Sequence, residues 1–345
     1  MRVGVLSYPM LFQRSGGLQI QVRETVAALN AIGVEARLAD PVTELLSSYD
    51  VVHVFSTISG NYRIVESARE QQVPLVLSPL LSPEWNRGNG RTARLLDRLV
   101  GRLSGWQVQT SYGQMASALQ GADRLLALGE AEAAALQSAF GIERARIDIC
   151  PNGIAPRFFD ADPGLFRQAY GIDGPFVLMT GAISPYKNQL GVVRALAGSG
   201  LRCVLIGRAE RAHAGYLELL QREPGVRWLG PLDHGDPLLA SAYAAAAVLA
   251  LLSQGEVQPL SVLEALAAGT PAVMTSRSAL VVPGSGAALR TVDWQDGPGI
   301  RQAIEALLRT PPPRAQVAQL VAEWRWEQVA QRIAANYRQA LAQRR

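Results

Sequence analysis

Short apolar runs without strict polar alternation recur along this chain, each followed by a segment of helical spacing, and that repetition constrains its fold most. Residues 3–7 (VGVLS) precede a stretch in which Leu18, Val22, Thr25, Val26, Leu29 and Ile32 fall three and four apart, with Gly33 as the stop. Further runs stand at 34–38, 51–55, 75–77, 125–128 and 147–150. The pattern then restarts, with runs at 176–180, 203–206, 226–229, 248–252 and 272–274. Apolar runs of this kind suit strands buried on both faces, and repeated βα units imply a parallel, doubly wound sheet in each half. The expected fold is α/β, with two Rossmann-like domains facing a cleft.

A chain of 345 residues fits two domains at roughly 150 residues each. The Pro-, Gly- and Asp-rich stretch 151–174 reads as the connection between them. The expected domains are 1–155 plus 324–345, and 160–322. With 48% hydrophobic and 18% charged residues, the chain can bury two cores. A net charge of +4 gives no ground for a nucleic-acid partner. Cys150 and Cys203, each inside an apolar run, build neither a disulfide scaffold nor a zinc site, and they suit a reducing compartment. The longest apolar stretch, 238–252, is mostly Ala and too short to span a bilayer. Together with an N-terminus broken early by Pro9, this makes a cytoplasmic location the expectation.

Four places carry chemistry. Gly16 and Gly17 open the first helix, where unpaired N–H groups and glycine let an anion approach; a plain flexible loop is the competing reading. No G-x-G-x-x-G stands there, which disfavours a standard nicotinamide site. In the second half a run ends at Thr180-Gly181, and Lys187, the single lysine of the chain, follows at the next helix start. A lysine beyond the carboxyl end of a parallel strand is a point charge suited to a diphosphate. Glu256 follows the 248–252 run, and Glu264 lies one turn inside a helix that begins at Leu260 after Pro259. Their spacing alone proves little, because Glu210 and Glu218 repeat it in a solvated segment.

In the order GGLQIQVRETVAAL, PNGI, GAISPYKN and E-x7-E before ALAAGTPAV, the chain resembles the family-four (group 1) retaining glycosyltransferases of the GT-B architecture. The resemblance reaches the terminal WRWEQVAQRIAANY, which implies a last helix crossing back to the first domain. It implies a nucleotide-diphosphate sugar on the second domain and a saccharide or lipid-linked saccharide acceptor on the first. Lys187 then neutralises the diphosphate, Glu256 stands near the donor sugar, and Glu264 binds the ribose. Backbone N–H groups around Leu260 and Ser261 hold the distal phosphate, with Gly17 approaching it. Glu256 and Lys187 are the expected catalytic residues, and no metal or other cofactor is required.

The sequence also departs from that family's pattern. Ala182 stands where many members carry an Arg, and Arg208, after Gly207, is a candidate replacement. No histidine is evident in the stretch 76–83, and Pro259 replaces a common glycine. These departures keep two alternatives in view: a non-catalytic sugar-nucleotide-binding partner subunit and a GT-B nucleotide-sugar 2-epimerase.

The remaining features have bland readings beside the sharp ones. Asp160 and Asp162 match a metal-binding D-x-D pattern but lie in the expected connection, and His53, His213 and His234 lack ligand spacing. Arg87, Arg91, Arg94, Arg98 and Arg102, with Leu95, Leu99 and Leu103, form a basic amphipathic helix whose single acid is Asp97. A solvated basic face is one reading. A contact with an anionic membrane through Arg91, Arg94, Arg98 and Arg102, placing the protein peripherally at the inner face, is the other.

Overall fold

The computed structural model describes residues 1–13, 16–82, 84–105 and 107–343. Arg344 and Arg345, part of the expected first domain, lie outside the described residues. The chain divides into two compact units, one of residues 1–14, 18–153 and 326–345, the other of 15–17 and 154–325.

The first unit carries β1 (Arg2–Leu6), β2 (Glu35–Leu38), β3 (Val51–Phe55), β4 (Leu75–Ser78), β5 (Arg124–Ala127) and β6 (Ile147–Ile149). They form one sheet in the order β2-β1-β3-β4-β5-β6, and every pairing is parallel. The helices between them are α1 (Gly17–Ala31), α2 (Tyr62–Glu70), α3 (Arg87–Leu103), α4 (Ser111–Gly121) and α5 (Glu130–Phe140).

The second unit holds α6 (Pro156–Phe159), α7 (Pro163–Tyr170), β7 (Phe176–Thr180), α8 (Gln189–Ala195), β8 (Arg202–Ile206), α9 (Ala214–Arg222) and β9 (Val226–Trp228). It continues through α10 (Pro237–Ala245), β10 (Val248–Leu251), α11 (Leu260–Ala267), β11 (Ala272–Thr275), β12 (Leu289–Val292), α12 (Gly297–Arg309) and α13 (Arg314–Gln319). Its sheet runs β12-β11-β10-β7-β8-β9, again all parallel. The last helix, α14 (Trp326–Ala342), belongs to the first unit, where it packs on β3, β4 and β5.

Two expectations need correction. The second sheet has a sixth strand, β12, that the apolar runs do not reveal. It is an edge strand, LRTV, with Arg290 and Thr291 exposed, so it lacks the two-sided burial that marks its neighbours. The stretch 151–174 is not a bare connection, since from Ile154 onward it belongs to the second unit. Phe158 of α6 and Phe166 of α7 are fully buried, and α7 packs on α10. Asp162 caps α7 by accepting from Gly164 N at 2.8 Å, a structural use of that carboxylate.

Polar groups buried in the first unit tie its elements together. His53 in β3 is fully buried, with Nδ1 2.7 Å from Tyr337 Oη of α14 and Nε2 2.9 Å from Ser78 Oγ of β4. Neutral imidazole has one donor and one acceptor, so both ring nitrogens are satisfied without a charge. Glu132, in the first turn of α5, accepts from Leu81 N at 2.6 Å and Leu128 N at 2.7 Å, fastening the segments after β4 and β5.

Burial pushes these two groups in opposite directions. It holds the His53 pKa down at about 3 and pushes Glu132 up to about 7. As pH falls from 6.5 toward 3, the unfolded chain protonates His53 and the folded chain does not, so stability is lost. Between pH 7 and 4.5 Glu132 acts in the other sense, because the folded chain holds the extra proton. The two are separated by a variant. Urea unfolding of His53→Asn across this range should show a stability that falls less steeply on acidification, by up to about 1.4 kcal/mol per pH unit.

Candidate active site

The strand order of the second sheet decides where chemistry can sit. From β7 the chain runs outward through β8 and β9, then returns to place β10 on the other side of β7. The loops after β7 and β10 therefore leave the same sheet edge side by side. In open parallel sheets that reversal forms the ligand crevice beyond the strands' carboxyl ends.

Each loop brings one charged side chain. Lys187 closes a 3-10 turn, Pro185–Lys187, and stands before α8 rather than on it, with Asn188 at φ +54° between them. Glu256 is held by its N–H donating to Arg277 O at 2.9 Å, beyond β11. Lys187 Nζ donates to Glu256 Oε1 at 2.6 Å, and both side chains are largely buried. The loops are also tied through their backbones, since Gln254 N donates to Tyr186 O at 2.9 Å. Gln189, itself buried, braces the first loop by donating to Ala182 O at 2.9 Å.

Two glycines permit this approach. Gly181 takes φ +116°, in the region that favours glycine, and the Lys187 stem passes close to it. A Cβ on Gly207 would lie 1.7 Å from Gly181 O, so the chain beyond β8 rests directly on the chain beyond β7. The strand register extends past both glycines. Thr180 pairs with Ile206, Ile183 bridges Ala209, and Ile183 N donates to Arg208 O at 2.9 Å. Ala182 and Arg208 are thus register neighbours, one strand spacing of about 4.8 Å apart. Arg208 is exposed beside the small residue.

Glu264 is buried in α11, and His234 Nε2 lies 2.7 Å from its Oε1. His234 Nδ1 in turn lies 2.8 Å from an Arg157 guanidinium nitrogen. The Tyr243 hydroxyl bonds to Glu264 and stands 2.9 Å from Thr180 Oγ1 at the end of β7; burial pushes its pKa well above the usual tyrosine value. Leu260 and Ser261 are the first two residues of α11, whose opening N–H groups have no partner within the helix.

The structure therefore gathers Gly181, Lys187, Arg208, Glu256, Leu260, Ser261 and Glu264 around the ends of β7, β8 and β10 in one unit. Gly16 and Gly17 count with that unit too, although Gly17 opens α1. Arg91, Arg94, Arg98 and Arg102 lie on α3 of the other unit, and Arg94 Nε there bonds to Tyr112 Oη at 3.2 Å. Sequence reasoning missed His234, Arg157 and Tyr243 as partners of the site. Nothing in their local patterns marks them, because each reaches Glu264 or its neighbours from a different element. Cys150 and Cys203 are buried free thiols, pushed up to about 12 by burial, and take no part.

Comparison with known families gives the chain's family and fold. The family described as Glycosyl transferases group 1 matches residues 174–310, and the Glycosyl transferase 4-like domain matches residues 35–153. The chain belongs to the group 1 glycosyltransferases. Among curated relatives, D-inositol 3-phosphate glycosyltransferase of Mycobacterium avium is 32% identical over 243 residues, covering 64% of this chain and 55% of that enzyme. The match spans about half the length of the first relatives found. Among solved structures, sucrose-phosphate synthase from Thermosynechococcus elongatus superposes with a TM-score of 0.76 at 18% identity, over 99% of this chain and 100% of that one. A protein of Anabaena, solved with UDP and glucose, gives 0.64 at 19% identity over 97% and 98%. At these identities the structural likeness is one of fold, the GT-B arrangement of two parallel sheets.

The contact of Gly207 with Gly181 O gives a direct test of the site's frame in this group 1 glycosyltransferase. Gly207→Ala must push backbone against backbone, at a cost of about 1–3 kcal/mol. Its thermal midpoint should fall by several degrees.

Proposed function

We propose that this chain transfers a sugar, with retention, from a nucleotide-diphosphate sugar to a saccharide or lipid-linked saccharide acceptor, in the synthesis of a cell-surface polysaccharide or glycolipid. The observation that carries the reading is the Lys187–Glu256 contact of 2.6 Å at the reversal between β7 and β10. Lys187 faces the donor diphosphate, and Glu256 stands beside the donor sugar. Glu264 takes the ribose hydroxyls, oriented by His234. The opening N–H groups of α11, at Leu260 and Ser261, meet the distal phosphate.

Charge arithmetic makes Arg208 part of the site. Lys187 and Glu256 neutralise one another, so a diphosphate needs a further cation. We assign that role to Arg208, whose backbone is the register neighbour of Ala182. In the transfer, the bond from the anomeric carbon to the phosphate oxygen breaks and a bond to the acceptor oxygen forms on the same face. The acceptor's proton passes to the departing phosphate. Catalysis then rests on stabilising that leaving group and positioning both sugars, with cationic side chains and the α11 dipole meeting the charge without a metal. A lipid-linked acceptor places the protein peripherally at the inner membrane face.

Ala182 favours a second reading, a sugar-nucleotide-binding partner subunit that does not catalyse. Donor hydrolysis separates the two, since a transferase leaks some sugar to water and a binder releases none.

The donor site is tested by thermal shift with UDP, GDP, ADP and dTDP, without metal, on wild type, Lys187→Ala and Arg208→Ala. Saturation at about 100 times the dissociation constant adds about 2.7 kcal/mol, a rise of several degrees. One nucleotide should raise the wild-type midpoint, Lys187→Ala should abolish most of that rise, and Arg208→Ala should reduce it. No shift with any nucleotide would remove the donor reading.

A further inference from the structure

Helix α3 turns its apolar side away from the protein. It begins at a capping box, with Asn86 Oδ1 accepting from Gly88 N and Asn89 N and Asn86 N donating to Asn89 Oδ1 at 2.7 Å. Its packed side is made of small groups. Gly90 is buried so closely against α5 that a Cβ there would come within 2.6 Å of Ala139 Cα, and Ala93, Val100 and Gly101 lie on the same side. Asp97, the one acid of the helix, faces inward and accepts from Thr110 Oγ1 at 2.6 Å.

All four leucines of α3 are therefore outside. Leu95, Leu99 and Leu103 repeat every four residues with Leu96 beside them, and they are 65%, 55%, 81% and 55% exposed respectively. Successive residues turn by about 100°, so these four leucines share one stripe. Arg87, Arg91, Arg98 and Arg102 run along its edge, all exposed. The side chains of Arg91, Arg98 and Arg102 have no ion-pair or hydrogen-bond partner among the described residues.

We infer that α3 is the surface by which this chain docks on an anionic lipid bilayer, the leucines entering the acyl boundary and the arginines meeting the headgroups. Charge complementarity selects that occupant. A second copy of this chain applied to the same face would bring arginine against arginine, with no acid on the helix surface to balance them, whereas an anionic bilayer supplies both the negative charge and the apolar phase. The inference extends the peripheral placement proposed above by naming the surface and the lipid charge, and it stands independently of the donor chemistry.

The test is co-sedimentation of the full chain with phosphatidylcholine vesicles, with and without phosphatidylglycerol. It compares wild type, Leu95→Ser/Leu99→Ser, and Arg91→Gln/Arg98→Gln/Arg102→Gln. Wild type should bind the anionic vesicles at low salt, release at high salt, and bind neutral vesicles far less. Each variant should bind anionic vesicles at least about tenfold more weakly. Because the altered side chains are exposed, melting midpoints and the nucleotide-induced shift should stay at wild-type values, which separates this result from a failure of the donor site. Absence of binding by wild type, equal binding to neutral vesicles, or undiminished binding by both variants overturns the inference. So does a light-scattering dimer that the leucine variant dissolves, which would assign the face to a second copy.

Discussion

The arrangement of the second unit depends on one topological constraint, the reversal of strand order about β7. Helical crossovers carry the chain from β7 to β8 and β9 on one side, and the return to β10 on the other leaves two adjacent carboxyl ends with diverging connections. Lys187 and Glu256 are 69 residues apart in sequence and 2.6 Å apart in space for that reason. The close rest of Gly207 on Gly181 O belongs to the same constraint, since it lets the neighbouring segments continue in register beyond the sheet.

Around that reversal, Lys187, Glu256 and Glu264, the charges drawn in from solvent, each meet a polar partner. Lys187 answers Glu256, and Glu264 is answered by His234 with the Tyr243 hydroxyl alongside. A buried carboxylate without such partners would neutralise itself or destabilise the fold. The chain from Arg157 through His234 to Glu264 draws on three elements, which gives the carboxylate a single direction. Such preorganisation is what an electrostatic site needs, because no reorientation is then required when charge develops.

The first unit uses the same parallel architecture for different ends. Its buried polar groups, His53 with Tyr337 and Ser78, and Glu132 with backbone N–H groups, join elements distant in sequence and carry stability. Its unusual surface is α3, where small residues face the core and leucines face out. A helix so arranged gains nothing from solvent, and its four exposed leucines run against the ordinary sorting of apolar side chains.

The sequence by itself determined the fold class and the motif-bearing loops. Two-sided burial forces continuous apolar runs, and those runs mark eleven of the strands that the two sheets contain. Lys187, Glu256 and Glu264 were legible because each follows or opens an element that periodicity already locates. The edge strand β12 was not, since one exposed side removes the apolar signal. Nor were the packed helices α6 and α7, whose Pro, Gly and Asp residues serve as caps and first turns rather than as a loose connection. Tertiary structure alone decided that His234 and Arg157 stand behind Glu264, that Arg208 lies beside Ala182, and which side of α3 faces inward. Local pattern records whether a side chain is apolar and how often that recurs; which chain segment arrives opposite it depends on strand order and packing, and these emerge only when the whole domain is assembled.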